Sequence, residues 1–368
     1  MKKLIICETP FQIIMALYIK KLYSNANDEV DIIIGNTFNN YRLISDRIEK
    51  TSIFQNIYNA DIKIFFERNK KKKLLSILKV LNLKKMMKEV FGENIKQYDE
   101  MYCWNYDPFT ISVRSYFSFY QRKIKIFIFE EGYISYFPFD EVVHKQVATR
   151  IIEIRNKLFG ISNITRDSID GLLLFEPDLL LYNPKCQVYK MDRKVGLTDS
   201  FKRNIDNIFA ASEVSLKYNK KYIIFEENHP EYNDEPIFDN IINKVGRENV
   251  IIKLHPLRKE NRFEKKGVMT LGNDGVPWEA IAYFLDFSDK VLISIGSGSI
   301  SSCRMLFGKK MNAFLIYKFM DTNLKQFDSK FCSFWNKLES KKMEGGIYMP
   351  RDEQEFYNML DVIIERSR

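Results

Sequence analysis

A chain of 368 residues exceeds the reach of most single hydrophobic cores and points to two domains. Its 45% apolar and 14% aromatic content suffices for packed interiors and excludes a disordered or fibrous protein. The net charge of +9 favours an anionic partner but does not choose among nucleic acid, anionic lipid and nucleotide sugar, and an AT-rich genome accounts equally well for part of it.

The chain opens on a predicted strand, Lys3–Ile6. The apolar run Leu4–Cys7 is too short for a signal sequence and is followed by Glu8. No apolar segment approaches the roughly 20 residues that span a bilayer, so a cytoplasmic protein is expected. A helix follows over Pro10–Leu22, with Ile13, Ile14, Leu17 and Tyr18 on one face, then a strand over Val30–Ile34 that ends at Gly35-Asn36. Further strands are expected at Ile62–Phe66, Glu100–Trp104 and Ile124–Phe129. Between them, Leu74–Phe91 reads as a basic amphipathic helix after Lys70–Lys73. Its leucines oppose Lys79, Lys84, Lys85 and Lys88, so the Lys70–Lys88 region is a candidate for an anionic membrane surface or for simple packing of the apolar face on the sheet.

From about Asp140 the pattern is less regular, with strands at Leu172–Phe175 and Val188–Met191 and a helix over Ser200–Leu216. A polar break at Tyr218–Lys221 divides domains at 218/219. The second series alternates cleanly: strand Tyr222–Phe225, helix Pro236–Val245, strand Val250–Leu254, helix Pro277–Leu285, strand Lys290–Ile295, helix Ser301–Phe307, strand Asn312–Ile316. The segment after residue 350 is an amphipathic helix, Asp352–Arg368, that could pack back on the first domain. Alternating strands and helices give parallel sheets with right-handed crossovers, so the expected fold is α/β, two Rossmann-like domains with a cleft between them.

Three turns directly after strands carry the chemistry. Glu130-Glu131-Gly132 places two carboxylates where the chain reverses; one could act as a general base, or the pair could form a solvated acidic turn. In Lys253-Leu254-His255-Pro256, proline fixes the turn and holds the imidazole at the sheet edge, able to protonate a leaving phosphate, with Lys253 on the same strand face. His229-Pro230 competes for that role, but His255 follows a strand flanked by βαβ units on both sides. The loop Gly296-Ser297-Gly298-Ser299, followed by Ile300 and Ser301, joins strand to helix and suits a phosphate or an ordinary capped turn; it is neither a dinucleotide fingerprint nor a P-loop. Glu279, at the helix start after Pro277, could bind ribose hydroxyls. Phe225-Glu226-Glu227-Asn228 is an echo of the first carboxylate turn. Five scattered cysteines without a C-x-x-C pair and only three histidines argue against a disulfide framework or a metal centre.

Taken together, these turns resemble bacterial sialyltransferases of glycosyltransferase family 52 and their lipooligosaccharide, capsule and polysialyltransferase relatives, which carry an acidic pair with glycine, a His-Pro pair and a serine-rich segment in this order on a GT-B fold. Here they are Glu130-Glu131-Gly132, His255-Pro256 and Ser297-Gly298-Ser299 with Ser301. Cys7-Glu8-Thr9-Pro10-Phe11-Gln12 is similar to that group's Cys-x-Thr-Pro-x-Gln opening, and Gly298 departs from the usual serine run. The resemblance implies inverting transfer from CMP-sialic acid to a glycan acceptor with no cofactor or metal. Glu131 would be the base, with Glu130 the alternative, and His255 the group at the departing phosphate. Lys253, Pro256, Glu279, Gly296, Ser297, Gly298, Ser299 and Ser301 would hold the CMP-sugar, and Thr9, Pro10, Gln12 and Asn228 would lie on the acceptor or donor side. The basic helix, if it lies on lipid, would place the protein peripherally on the cytoplasmic face of the inner membrane, and a homodimer is compatible with the sequence. The rival readings are a GT-B transferase for another nucleotide sugar and a basic membrane- or nucleic-acid-binding protein. No helix-turn-helix, RRM or zinc pattern supports nucleic acid.

Overall fold

Strands buried on both faces need near-continuous apolar sequence, and the runs Leu4–Cys7, Ile32–Ile34, Leu172–Leu174, Ile223–Phe225 and Leu292–Ile293 supply it; nearly all of these side chains are inaccessible to solvent. In a computed structural model the described residues are 1–66, 70–104, 107–120, 124–138, 147–158, 169–228, 234–258, 260–272, 275–319, 327–341 and 346–366, without the side chains of 70–73, 147–149 and 364–366. His229 and the stretch around Asp140 lie outside them. The chain divides into two compact units, Met1–Phe209 and Ala210–Arg368.

In the first unit the strands are β1 (Lys2–Cys7), β2 (Glu29–Gly35), β3 (Ile57–Ala60), β4 (Glu100–Cys103), β5 (Lys125–Phe129), β6 (Gly171–Leu174) and β7 (Gln187–Lys190). All pair in parallel, in the order β3-β2-β1-β4-β5-β6-β7. The helices are α1 (Pro10–Tyr23), α2 (Tyr41–Thr51), α3 (Lys70–Leu81), α4 (Leu83–Phe91), α5 (Pro108–Tyr120), α6 (Val147–Leu158) and α7 (Asp199–Phe209). The strand order reverses direction between β1 and β4, the topological switch point at which open α/β sheets bind ligands.

The second unit repeats the plan. After the short helix α8 (Ala211–Ser215) come β8 (Tyr222–Phe225), α9 (Glu235–Val245), β9 (Val250–Lys253), β10 (Met269–Leu271), α10 (Trp278–Phe284), β11 (Val291–Ser294), α11 (Ser299–Phe307), β12 (Asn312–Leu315), α12 (Ser329–Ser340), β13 (Ile347–Tyr348) and α13 (Glu353–Arg366). The parallel order β10-β9-β8-β11-β12-β13 puts its switch point between β8 and β11.

Several elements differ from expectation. Ile62–Phe66 is not a strand: Asn36 Oδ1 accepts the amides of Ile62 and Lys63 at 2.9 and 2.8 Å, and Lys63–Phe65 closes a 3-10 turn, so Ile57–Ala60 forms the edge strand instead. The helix expected over Leu74–Phe91 breaks at Asn82, whose side chain caps Lys85 N at 3.1 Å. The helix expected over Ser200–Leu216 breaks at Ala210, held at φ +53°, and the two units part there rather than at 218/219. Tyr218 belongs to the second unit's core, its ring edge-on to Trp278 with centroids 5.7 Å apart. The final helix, α13, packs Phe356 edge-on against Phe314 of β12 at 5.0 Å and joins α9 through Asn240 and Glu353 at 3.2 Å.

Candidate active site

In the first unit the polar groups gather at the switch point because β1, β4 and β5 all end there. Thr9 is the N-cap of α1: its Oγ1 accepts from Gln12 N at 3.3 Å, Pro10 occupies the first turn, and Gln12 Oε1 reaches back to Glu8 N at 2.7 Å. The Cys-x-Thr-Pro-x-Gln opening is therefore a reciprocal helix cap. The same Thr9 hydroxyl donates to Glu131 Oε1 at 3.1 Å, joining the start of α1 to the end of β5. Gly132, at φ +65°, makes the reversal after Glu131 in a conformation that side chains resist.

Two carboxyls that sequence reasoning did not single out complete this cluster. Glu8 is buried and accepts from Thr110 Oγ1 at 2.7 Å; burial first, then the neighbouring charge of Asp107, hold its carboxyl well above the usual range. Asp107 caps α5, accepting the amides of Phe109 and Thr110 at 2.7 and 3.0 Å. Burial among other acids thus favours the protonated form of Glu8. Burial, then Glu131 and Glu8, also push up the Cys7 thiol, so it is an inert packing residue.

The structure separates the two glutamates by environment. Glu131 is partly exposed at the sheet end. Glu130 is 1% exposed, and its Oε2 accepts from Tyr136 Oη at 2.6 Å and Phe175 N at 2.9 Å. Burial is the main cause that lifts its carboxyl to about 7, against the lowering effect of those two hydrogen bonds. Because the folded-state value lies above the unfolded one, the native state binds more protons between about pH 4.5 and 7. Stability should therefore fall by about 3 kcal/mol as pH rises through that window. Glu130→Gln should flatten this slope in urea unfolding followed at pH 5 and pH 8. An unchanged slope would remove Glu130 as its source.

In the second unit the echo Glu226-Glu227 proves to be the organising element. It leaves the central strand β8 and meets both flanking turns. Glu226 Oε2 accepts His255 N at 3.0 Å and Oε1 accepts Arg262 Nε at 2.9 Å, while Arg262 forks onto Asp234, its Nη2 at 2.6 Å from Oδ2. Glu227 Oε1 accepts Ser294 Oγ at 2.8 Å and Gly296 N at 3.1 Å, tying β8 to the serine–glycine loop across the switch point. Arg258 Nε donates to Glu227 O at 3.1 Å, which puts a second guanidinium at the His-Pro turn. The signal was present in sequence as a carboxylate pair after a strand; that β8 is central was not.

His255 is half-buried. Leu257 N donates to its Nδ1 at 3.2 Å, so the neutral ring carries its proton on Nε2. Pro256 is exposed at the turn and Lys253 is half-buried at the end of β9. Glu279 is buried at the start of α10; burial lifts its carboxyl, with Ser302 and Lys253 acting in the opposite sense. In the loop, Ser297 N donates to Ser294 Oγ at 2.8 Å and Ser299 N to Ser297 Oγ at 3.3 Å. Ser301 and Ser302 turn inward and donate to the carbonyls of Gly298 and Ser299 at 3.0 and 2.8 Å. Gly298, the N-cap of α11, offers that terminus no side-chain acceptor. A Cβ on Gly296 would stand 2.7 Å from the Phe327 ring, so only glycine fits there. Asn228 follows Glu227 directly and is half-buried. Thr9, Gln12 and Glu131 thus meet in one cluster, with the Glu130 side chain turned away onto Tyr136 and Phe175 N, and Lys253, His255, Glu279 and the serine loop gather around β8, β9 and β11 in the other. Among the described residues, no group of three or more His, Cys, Asp and Glu is placed to hold a metal ion.

No protein-family model matches the sequence, and no curated protein matches it. Solved structures do resemble it. The GT-B domain of a sialyltransferase from Photobacterium damselae superposes with a TM-score of 0.53 at 11% identity, covering 92% of this chain and 97% of that one. Arabidopsis thaliana UGT89C1 in complex with UDP-L-rhamnose gives 0.52 at 10% identity, covering 100% and 89%. The calicheamicin glycosyltransferase CalG4 gives 0.51 at 8% identity, covering 100% and 92%. With two parallel-sheet α/β units of matching strand order, these likenesses define the class: the chain has the GT-B fold.

Proposed function

We propose that the protein is a glycosyltransferase, an inverting sialyltransferase that moves sialic acid from CMP-sialic acid to a hydroxyl of a cell-surface glycan without a metal. The observation that carries this reading is the division of labour at the strand ends. A half-buried Glu131 is held by Thr9, and an imidazole holds its proton on Nε2 at the end of β9, beside β8, whose Glu227 braces the serine–glycine loop. Glu131 takes the proton of the acceptor hydroxyl as its oxygen attacks the anomeric carbon. The bond from that carbon to the CMP phosphate oxygen breaks with its electron pair left on phosphate. His255 Nε2–H donates to that oxygen, and the hydroxyls of Ser297 and Ser299 with the positive end of α11 support the anion. Glu279, Ser297 and Ser299 line the nucleotide side in this reading. Ser301 acts through the loop's backbone.

The donor is tested by thermal unfolding with CMP, UDP, GDP and dTDP. At 100 times Kd a ligand adds about 2.7 kcal/mol to stability. CMP should therefore raise Tm by several degrees where the others do not. A selective shift with UDP would point to a different nucleotide-sugar transferase, since that nucleotide is held on this fold in the Arabidopsis complex. The reading fails if no nucleotide shifts the transition and CMP-sialic acid is not turned over on a panel of galactosides and sialosides.

A further inference from the structure

Helix α3 buries the opposite face from the one its sequence marks as apolar. Ser76 and Val80 are 5% and 0% exposed, whereas Leu74, Leu75, Leu78 and Leu81 are each at least half exposed. Leu74, Leu78 and Leu81 follow helical i, i+4, i+7 spacing, so they form one continuous stripe. Helix α6 packs beside α3 and adds Ile154 and Leu158, 60% and 79% exposed. Single exposed leucines are ordinary, but a stripe of them over a buried serine marks an interaction surface.

The charge around the stripe selects its partner. Residues 70–91 hold eight lysines against one carboxylate, Glu89. Glu89 pairs with Lys79 at 2.8 Å, while Lys84 and Lys85 stand exposed at the start of α4. An apolar stripe flanked by surplus cations complements an anionic bilayer, whose acyl boundary takes the leucines and whose phosphates take the lysines. No described helix is long and apolar enough to cross a membrane, so the contact is parallel to the surface. We propose that α3, flanked by α4 and α6, seats the protein on an anionic lipid surface through Leu74, Leu75, Leu78 and Leu81.

Co-sedimentation of the full chain with vesicles tests this. Phosphatidylcholine vesicles containing phosphatidylglycerol should bind it at least roughly tenfold better than phosphatidylcholine alone, and salt should weaken binding. The pair Leu74→Asp with Leu78→Asp should cost at least about tenfold in partitioning, and Lys84→Gln with Lys85→Gln several-fold. These side chains are exposed, so the urea midpoint and the transfer rate to a soluble acceptor should not move. Absence of vesicle binding, or binding indifferent to the leucine pair, overturns the proposal. So does a dimer in solution that the leucine pair converts to monomer without any vesicle binding, which would assign the stripe to a second copy.

Discussion

Glu131→Gln should lower sialyl transfer by about 10²–10⁴-fold while leaving the fold and the CMP-induced thermal shift in place. The amide keeps an oxygen for the Thr9 hydroxyl, so the joint between α1 and β5 survives, but it cannot accept the proton of an attacking hydroxyl. The loss should fall on kcat, because the interaction removed is made only as the reaction proceeds. Glu130→Gln should keep most of the rate, since an amide oxygen still accepts from Tyr136 and from Phe175 N, and its role is to shape the turn that presents Glu131. His255→Ala should lose rate in parallel with Glu131→Gln, as it removes the proposed donor at the departing phosphate. Steady-state kinetics on purified variants decide the matter. A near-normal Glu131→Gln enzyme beside an inactive Glu130→Gln enzyme would exchange the two roles.

The strands were the legible part of this fold, for a physical reason. A parallel strand covered on both faces must be apolar throughout, and Tyr222–Phe225 and Val291–Ser294 therefore announce themselves. Short edge strands do not. In Met269–Leu271 no side chain is fully buried, so no apolar run marks the strand. Backbone events without a glycine or proline were equally silent, as at Ala210, whose positive φ ends one helix and starts the next. The leucine stripe of α3 was visible, but the sequence does not say which face the core will take, and the core took Ser76 and Val80.

Within the site, the residues at strand ends were readable because turns after strands have few roles. Their supports were not. Glu8 and Asp107 follow separate strands, and nothing in either segment says that β1 and β4 lie side by side. Glu226-Glu227 has the same form as Glu130-Glu131 and reads in sequence as mere repetition. Strand order reverses that judgement, since β8 lies between β9 and β11 and its carboxylates are the groups able to reach both the histidine turn and the serine loop. The two acidic pairs also divide their work differently. In the first unit one carboxylate is sequestered and its neighbour is only half-buried. In the second both are buried and spent on hydrogen bonds to adjacent turns.

That difference makes Glu227→Ala the most damaging single change expected in the second unit. Its Oε1 is the acceptor for the buried Ser294 Oγ of β11 and for the half-buried Gly296 N in the loop that follows, across the switch point. A buried donor left without an acceptor costs about 1–3 kcal/mol and a partly exposed one less, so losing both should destabilise the unit by about 1–4 kcal/mol. The loop would also lose the brace that orients Gly296 and, through Ser294 Oγ, the amide of Ser297. Phosphate recognition by the loop hydroxyls and the start of α11 depends on that placement, so CMP should no longer raise Tm even where the variant is still folded. Glu227→Gln should restore much of the stability, because both donors meet the same oxygen and a carboxamide retains one. Ser297→Ala provides the contrast: it leaves the brace in place and removes one hydroxyl and its 3.3 Å bond from Ser299 N, so it should weaken the CMP shift with a smaller change in the unliganded midpoint than Glu227→Ala. If Glu227→Ala keeps both its unfolding midpoint and its CMP shift, the loop is held by something else, and the carboxylate at the end of β8 is not its organiser.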